Sequence, residues 1–216
     1  MERSTRGFVG VSQNARRYTV PQESLVTKET PGVRYAEVER ETGHTRVRVV
    51  IDLDGERKST VDTGIGYFDL MLGRFTAAAS FDLGVSAEGD LAVDDRHTVE
   101  DVGVCLGQAI RQALGDSEGI RGHGSEAVPM DDALCLVAVD VGGRPYLSYQ
   151  VEFDCERLGG LTTECIEEFL RALVNEAGIT LHVVKLAGHN NHHVCEALFM
   201  GLGRALRSAV VKTEQS

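Results

Sequence analysis

The chain has no tryptophan, and aromatic residues make up only 6 % of its 216 residues. A core must therefore be built from valine, leucine, isoleucine and alanine. Hydrophobic residues at 42 % suffice to bury one domain or two similar halves. No apolar run approaches the roughly 20 residues of a membrane span, and the opening "MERSTRGFVG" lacks a signal-peptide core. Positive charge is also short: 22 Lys and Arg stand against 33 Asp and Glu, a net charge of −11. That balance argues against nucleic acid and anionic membrane as partners. An anionic small substrate needs local Arg or Lys. The five cysteines are odd in number and form no CxxC. They fit free thiols in a reducing cytoplasm, with metal binding or a catalytic thiol as lesser readings.

Residues 1 to about 32 are polar, carry Pro21 and Pro31, and show no sustained period. They read as a mobile or loosely docked arm. Alternation begins at Val33, and "RVRVVIDLDG" is a strand run ending in an Asp-Gly turn. "FDLGVSAEGDLAVDD" reads as two strands around a Glu-Gly-Asp turn. A helix follows, with Val102, Leu106, Ala109, Ile110 and Ala113 at helical spacing and Gly115 as its stop. "LCLVAVDVGGRPYLSYQVEF" gives strands with a Gly-Gly turn. "TTECIEEFLRALVNEAG" is a helix capped by Thr162 or Thr163 and stopped by Gly178. "ITLHVVKLAG" is a strand, and a last helix runs from about His192 to Val211. Residues 213–216 form a tail.

Two stretches read as one element written twice: "DDRHTVED" at 94–101 and "NNHHVCEA" at 190–197. His97 and His193 are 96 apart, as are Glu100 and Glu196, Leu106 and Leu202, and Gly107 and Gly203. Fixed spacing over a whole helix implies internal duplication, with halves at about 33–120 and 121–212. The Asx pairs before each helix are good N-caps. In the second copy His193 and Glu196 lie at i and i+3 on one helix face, with His192 pointing elsewhere. Imidazole and carboxylate together suit Mn²⁺, Fe²⁺ or Zn²⁺. The alternative is a polar helix start in contact with solvent, which a second copy in register disfavours.

Over about residues 34–212 the chain resembles the imidazoleglycerol-phosphate dehydratase family. The resemblance rests on "TGIGYFDLML", "GDLAVDDRHTVEDVGVCLGQAI", "VPMDDAL", "GGRPYL", "TLHV" and "GHNNHH". It implies an α+β fold of two similar halves, each a four-stranded sheet with two helices on one face. It also implies trimers assembling into a 24-subunit shell, with two Mn²⁺ ions per active site between subunits. The family reaction removes water from an imidazole glycerol phosphate by Lewis-acid and general acid–base catalysis.

By the same resemblance, His97, Glu100, His192, His193 and Glu196 fall on metal-ligand positions. Three other ligand positions are occupied by Leu70, Arg96 and Glu168. A catalytic Glu position carries His44, and an anion-binding Arg position carries Gly122 beside Arg121. Leucine cannot ligate, and a guanidinium is always charged and cannot bind a cation. Arg96 and Glu168 are therefore expected to form an ion pair where a metal would sit, from one subunit or two, unless both face solvent. Glu196, His44 and Asp131 are expected to act on protons, and Arg144, Arg121 and Asn190 on substrate. His44 either shuttles protons near neutral pH or is an exposed strand histidine. Mn is the expected cofactor, at one site or lost, with Zn or Fe as substitutes. The functional expectation is a divergent lyase acting on a small polar or heterocyclic substrate by other than the standard reaction. The alternatives are the ordinary histidine-pathway dehydratase and a non-catalytic assembly or regulatory paralogue.

Overall fold

The computed structural model describes residues 34–213, so the expected arm at 1–32 lies outside the described residues. Strands β1 (Tyr35–Glu41) and β2 (Thr45–Asp52) form a hairpin. Strand β3 (Ser59–Asp62) leads into helix α1 (Gly66–Ala79), then β4 (Asp82–Gly89) and α2 (Arg96–Leu114). The same plan follows with β5 (His123–Met130), β6 (Ala133–Asp140) and β7 (Tyr146–Gln150). A short hairpin, β8 (Arg157–Leu158) and β9 (Leu161–Thr162), precedes α3 (Glu164–Ala177), β10 (Thr180–Ala187) and α4 (Asn191–Ala209). The sheets have the orders β1-β2-β4-β3 and β5-β6-β10-β7. In each, the third strand of its half runs parallel to the fourth and the other pairings are antiparallel. Two four-stranded sheets with helices, repeated, are the expected α+β architecture.

Alternation explains the strands. Along β2, Val47, Val49 and Ile51 are buried while Arg46 and Arg48 on the other face pair with Glu41 and Glu37. Helices α2 and α4 each bury one apolar face, with Leu106, Ala109 and Ile110 in the first and Leu202, Ala205 and Leu206 in the second. α2 packs on β1 and β2 and against α3, and α4 packs on β5 and β6 and against α1. The halves are thus joined crosswise through their helices.

Glycines set this joint. A Cβ on Gly107 would lie 2.6 Å from the Leu173 carbonyl oxygen, and one on Gly203 would lie 2.5 Å from that of Phe75. Leu173 and Ala177 follow Phe75 and Ala79 by 98 residues, as Gly203 follows Gly107 by 96. Both helix pairs therefore share one geometry, in which only a hydrogen fits between backbones.

Some elements differ from the sequence reading. Residues 81–95 hold one strand and a run of turns, not two strands, because β4 pairs with β2 only as far as Gly89. α4 ends at Ala209. Thr163 occupies the N-cap of α3 but makes no side-chain cap. Its hydroxyl donates to the Cys155 carbonyl instead. No helix among the described residues is long and apolar enough to cross a membrane.

Candidate active site

The loop before α4 builds one of the two repeated clusters. Asn190 caps α4, its Oδ1 accepting from the N–H groups of His192 at 3.0 Å and His193 at 3.4 Å. Gly188 adopts φ +118°, and a Cβ there would lie 2.7 Å from the Ala133 Cα. That close approach brings the β5–β6 turn onto the loop. Asp132 of the turn accepts the N–H groups of His189 and Asn190 on Oδ2, at 2.7 and 3.0 Å. Its Oδ1 meets His193 Nδ1 at 2.7 Å. These donors hold the Asp132 carboxyl well below the usual carboxylate range, the backbone N–H of His189 foremost. Asp131, at φ 46°, puts Oδ2 3.5 Å from His193 Nε2.

Glu196, one turn on, is 6 % exposed. Arg74 of α1 reaches its Oε1 at 2.7 Å, and His192 Nε2 lies 3.3 Å from Oε2. A buried carboxylate needs such partners. His192, at i and i+4 from Glu196, therefore faces the carboxylate, while His193 turns to Asp132. This reverses the expected directions, because the tertiary carboxylate at position 132 captures the second imidazole. The edge of Tyr67 also packs on His192, at 5.4 Å between ring centroids.

The cluster at α2 is built differently. Asp95 occupies the N-cap without capping, since its buried carboxylate accepts the Thr162 N–H at 2.6 Å and hydroxyl at 2.7 Å. Asp94 Oδ1 instead takes the Arg96 N–H, at 2.6 Å. The guanidinium of Arg96 grips Glu168 of α3 by two bonds within one chain, Nε to Oε2 at 2.7 Å and Nη2 to Oε1. Leu70, 98 residues before Glu168, takes the matching place on α1 and is 41 % exposed. His97 receives the stacked ring of His44 from the β1–β2 turn, at 4.9 Å and 14°. Glu100 is exposed on the same helix.

The remaining expected residues lie elsewhere. Arg121 Nη1 donates to Ser208 Oγ at 3.0 Å, near the end of α4. At about 1.5 Å per residue that is about 25 Å from His192. Arg144 is exposed, and its carbonyl accepts from Thr180 at the start of β10, the end of that strand remote from the α4 loop. One chain thus does not bring Arg121 or Arg144 to the histidines. Gly122 sits at φ +82°, a conformation strained for arginine. Arg207 donates to the Leu53 carbonyl at 3.2 Å. Burial pushes the thiols of Cys105 and Cys135 up to about 11 and those of Cys165 and Cys195 up to about 12. None of these four is a ready thiolate. Sequence reasoning missed Arg74 and Asp132, and read Asp95 only as part of an Asx pair capping its helix. Only the second carboxylate of "PMDD" carried any signal.

The imidazoleglycerol-phosphate dehydratase family model matches residues 63–206. The imidazoleglycerol-phosphate dehydratase of Acetivibrio thermocellus is 53 % identical over 182 residues, covering 84 % of this chain and 93 % of its own. That of Moorella thermoacetica is 54 % identical over 177 residues, covering 82 % and 90 %. The crystal structure of the Staphylococcus aureus dehydratase superposes with a TM-score of 0.76 at 35 % identity, over 83 % of this chain and 99 % of that one. Curated relatives at 46–54 % identity carry the name of the ordinary dehydratase. They overturn the expectation of a lyase that has left the standard reaction, because the likeness is sustained over four-fifths of the chain. The chain belongs to the imidazoleglycerol-phosphate dehydratase family.

Proposed function

We propose that this chain removes water from an imidazole glycerol phosphate, the reaction its relatives are named for. The observation that carries the reading is the acid–base set at the start of α4. Glu196 is buried and held by Arg74 and His192, and His193 Nε2 stands beside Asp131. Dehydration needs a proton taken from carbon and another given to the departing hydroxyl. A carboxylate and an imidazole in fixed places do both. His193 takes up a proton at Nε2 with Asp131 in reach to hold the charge, and Glu196 faces the paired imidazole of His192. His44, stacked on His97, is a second proton carrier.

The resemblance implies Mn²⁺, with Zn²⁺ or Fe²⁺ as substitutes. Within one chain the donors do not fit a metal: among the described residues no three His, Cys, Asp or Glu side chains converge on a point. Leu70 offers no donor, and Arg96, at another of the expected ligand positions, is a cation bonded to Glu168. The donors left, His97, Glu100, His192, His193 and Glu196, come into question only if copies of the chain meet. The distance of Arg121 from His192 argues the same way, since one small substrate cannot span about 25 Å. We therefore read the active unit as a homo-oligomer, trimer-based and building toward a 24-subunit shell, in the cytoplasm. In it Arg121, Arg144 and Asn190 of one copy bind substrate near the proton-moving residues of another. The Arg96–Glu168 pair is the substituted position of this site.

The test is turnover of imidazole glycerol phosphate by the purified oligomer in Mn²⁺-supplemented buffer. Wild type turns over, and Glu196→Ala loses about 100-fold or more. A wild-type oligomer that is folded and inert on this substrate overturns the reading. Metal content of the desalted protein then reads the substituted position. Fewer than two ions per chain supports a guanidinium in place of a metal, and two ions sinks it.

A further inference from the structure

We propose that Asp132 is a positioning residue that fixes the tautomer and direction of the His193 ring, so that the hydrogen sits on Nδ1 and Nε2 keeps its lone pair. This rests on the reading above that the start of α4 is the reacting centre.

Three donors converge on the Asp132 carboxylate. Its Oδ2 takes the N–H groups of His189 and Asn190, and Oδ1 meets His193 Nδ1 at 2.7 Å. An ionised carboxylate only accepts, so the ring nitrogen facing it must carry the hydrogen. A neutral imidazole with Nδ1–H has a bare Nε2.

On the far side of the ring an amide donor meets Nε2. Asn190 Oδ1 is committed as acceptor to the His192 and His193 N–H groups. That fixes the amide's orientation and turns its NH₂ toward the ring, where Nδ2 lies 3.4 Å from His193 Nε2. A donor on that side again requires a lone pair on Nε2. Asp131 Oδ2, 3.5 Å from the same nitrogen, is the other neighbour there. Its side chain is 76 % exposed, so water competes for that contact, whereas the Asp132 contact at 2.7 Å is the shorter of the two.

The repeat sharpens the point. His97, 96 residues earlier, is met by the corresponding hairpin turn, but that turn supplies the stacked imidazole of His44 and no carboxylate. The two repeated histidines are thus not chemically equivalent. Only His193 has its hydrogen placed by an anion, an arrangement that orients a proton acceptor or a ligating nitrogen. Loop and turn are held in contact by Gly188, which no residue with a Cβ replaces without displacing Ala133.

Asp132 also ties down two backbone groups, so a structural role must be told apart from a positioning one. Asp132→Asn does this. Its single oxygen serves the two backbone N–H groups, which turns the NH₂ to His193 Nδ1 and forces the hydrogen onto Nε2. Neutron diffraction from deuterium-exchanged crystals, with the ring neutral, reads the tautomer directly. Wild type carries deuterium on Nδ1, and Asp132→Asn carries it on Nε2. In kinetics with imidazole glycerol phosphate, Asp132→Asn lowers kcat by about 100-fold or more at nearly unchanged KM. Asp132→Glu restores the Nδ1 tautomer and most of kcat. Deuterium on Nε2 in wild type overturns the proposal, as does a variant amide that leaves it on Nδ1. The diffraction result needs no turnover, so an inert wild type with the expected tautomer removes the functional reading alone.

Discussion

Glu196 is a buried carboxylate whose charge is balanced from outside its own half. Arg74 lies on α1 and is 51 % exposed, so it anchors Glu196 from the rim. Removing it leaves His192 alone against a carboxylate at 6 % exposure. Arg74→Met should destabilise the protein by about 1–2 kcal/mol in urea unfolding, less than a fully buried pair because the arginine is partly solvated. An unchanged midpoint would show that solvent already screens Glu196. Arg96→Ala should lower the melting temperature only slightly, since both members of that pair are reached by water. A collapse of the fold would mean that the pair carries the α2–α3 contact. Neither Arg74 nor Asp132 could be read from sequence as a partner. Asp132 reaches His193 across 61 residues, and no local pattern encodes that pairing. The His192–Glu196 contact was open to a local reading, because i+3 and i+4 share a face, and tertiary capture of His193 decided between them.

At the level of elements, α2 and α4 stand out in sequence because they carry apolar faces, Asx starts and a repeat in register. Gly115 and Gly178 mark real helix ends, each with its N–H on a carbonyl four residues back. Helix α1 escaped notice as a helix by pattern. "GYFDLMLGRFTAAA" is apolar on most sides and its N-cap, Ile65, makes no side-chain cap. The β8–β9 hairpin has strands of two residues, too short for any period to show. The glycine pair makes the sharpest prediction here. Gly107→Ala and Gly203→Ala each insert a methyl against a backbone carbonyl, so helices must part. Each should cost about 1–3 kcal/mol in urea unfolding, with similar values for the two because their surroundings match. If only one destabilises, the two helix joints are not equivalent despite their shared geometry.

Across the whole molecule, Arg34 ties the start of β1 to the end of the chain. Its guanidinium donates to the Val210 carbonyl and to Asp54, through Nε to Oδ2 at 3.0 Å and Nη2 to Oδ1 at 2.5 Å. The arginine's hydrogen bond holds the Asp54 carboxyl below its ordinary value. A carboxyl depressed in the folded state contributes stability above its unfolded value, about 3.9, and loses it as pH falls through the folded one. Arg34→Met should therefore lie below wild type in melting temperature at neutral pH, and the gap should close on acidification below about pH 4. A gap that persists in acid would assign the effect to the Val210 contact. The crosswise joint carries a larger consequence. α1 packs on α4 and α3 on α2, so each long helix lies on its own half's sheet and is covered on its other side by a helix of the other half. A fragment of residues 34–119 leaves the Gly103 and Gly107 face of α2 bare, and Leu106 and Ile110 lose part of their cover. The linker between halves is itself stitched to the chain's end, through Gly122 N–H to the Ala209 carbonyl and Thr213 N–H to the Gly119 carbonyl. The two fragments, 34–119 and 120–213, should each show little helical circular dichroism alone. Mixed in equal amounts they should recover most of the intact chain's signal. Separate folding of either fragment, with a sharp thermal transition of its own, would mean that each duplicated half remains an autonomous unit and that the crosswise helices are docked rather than shared.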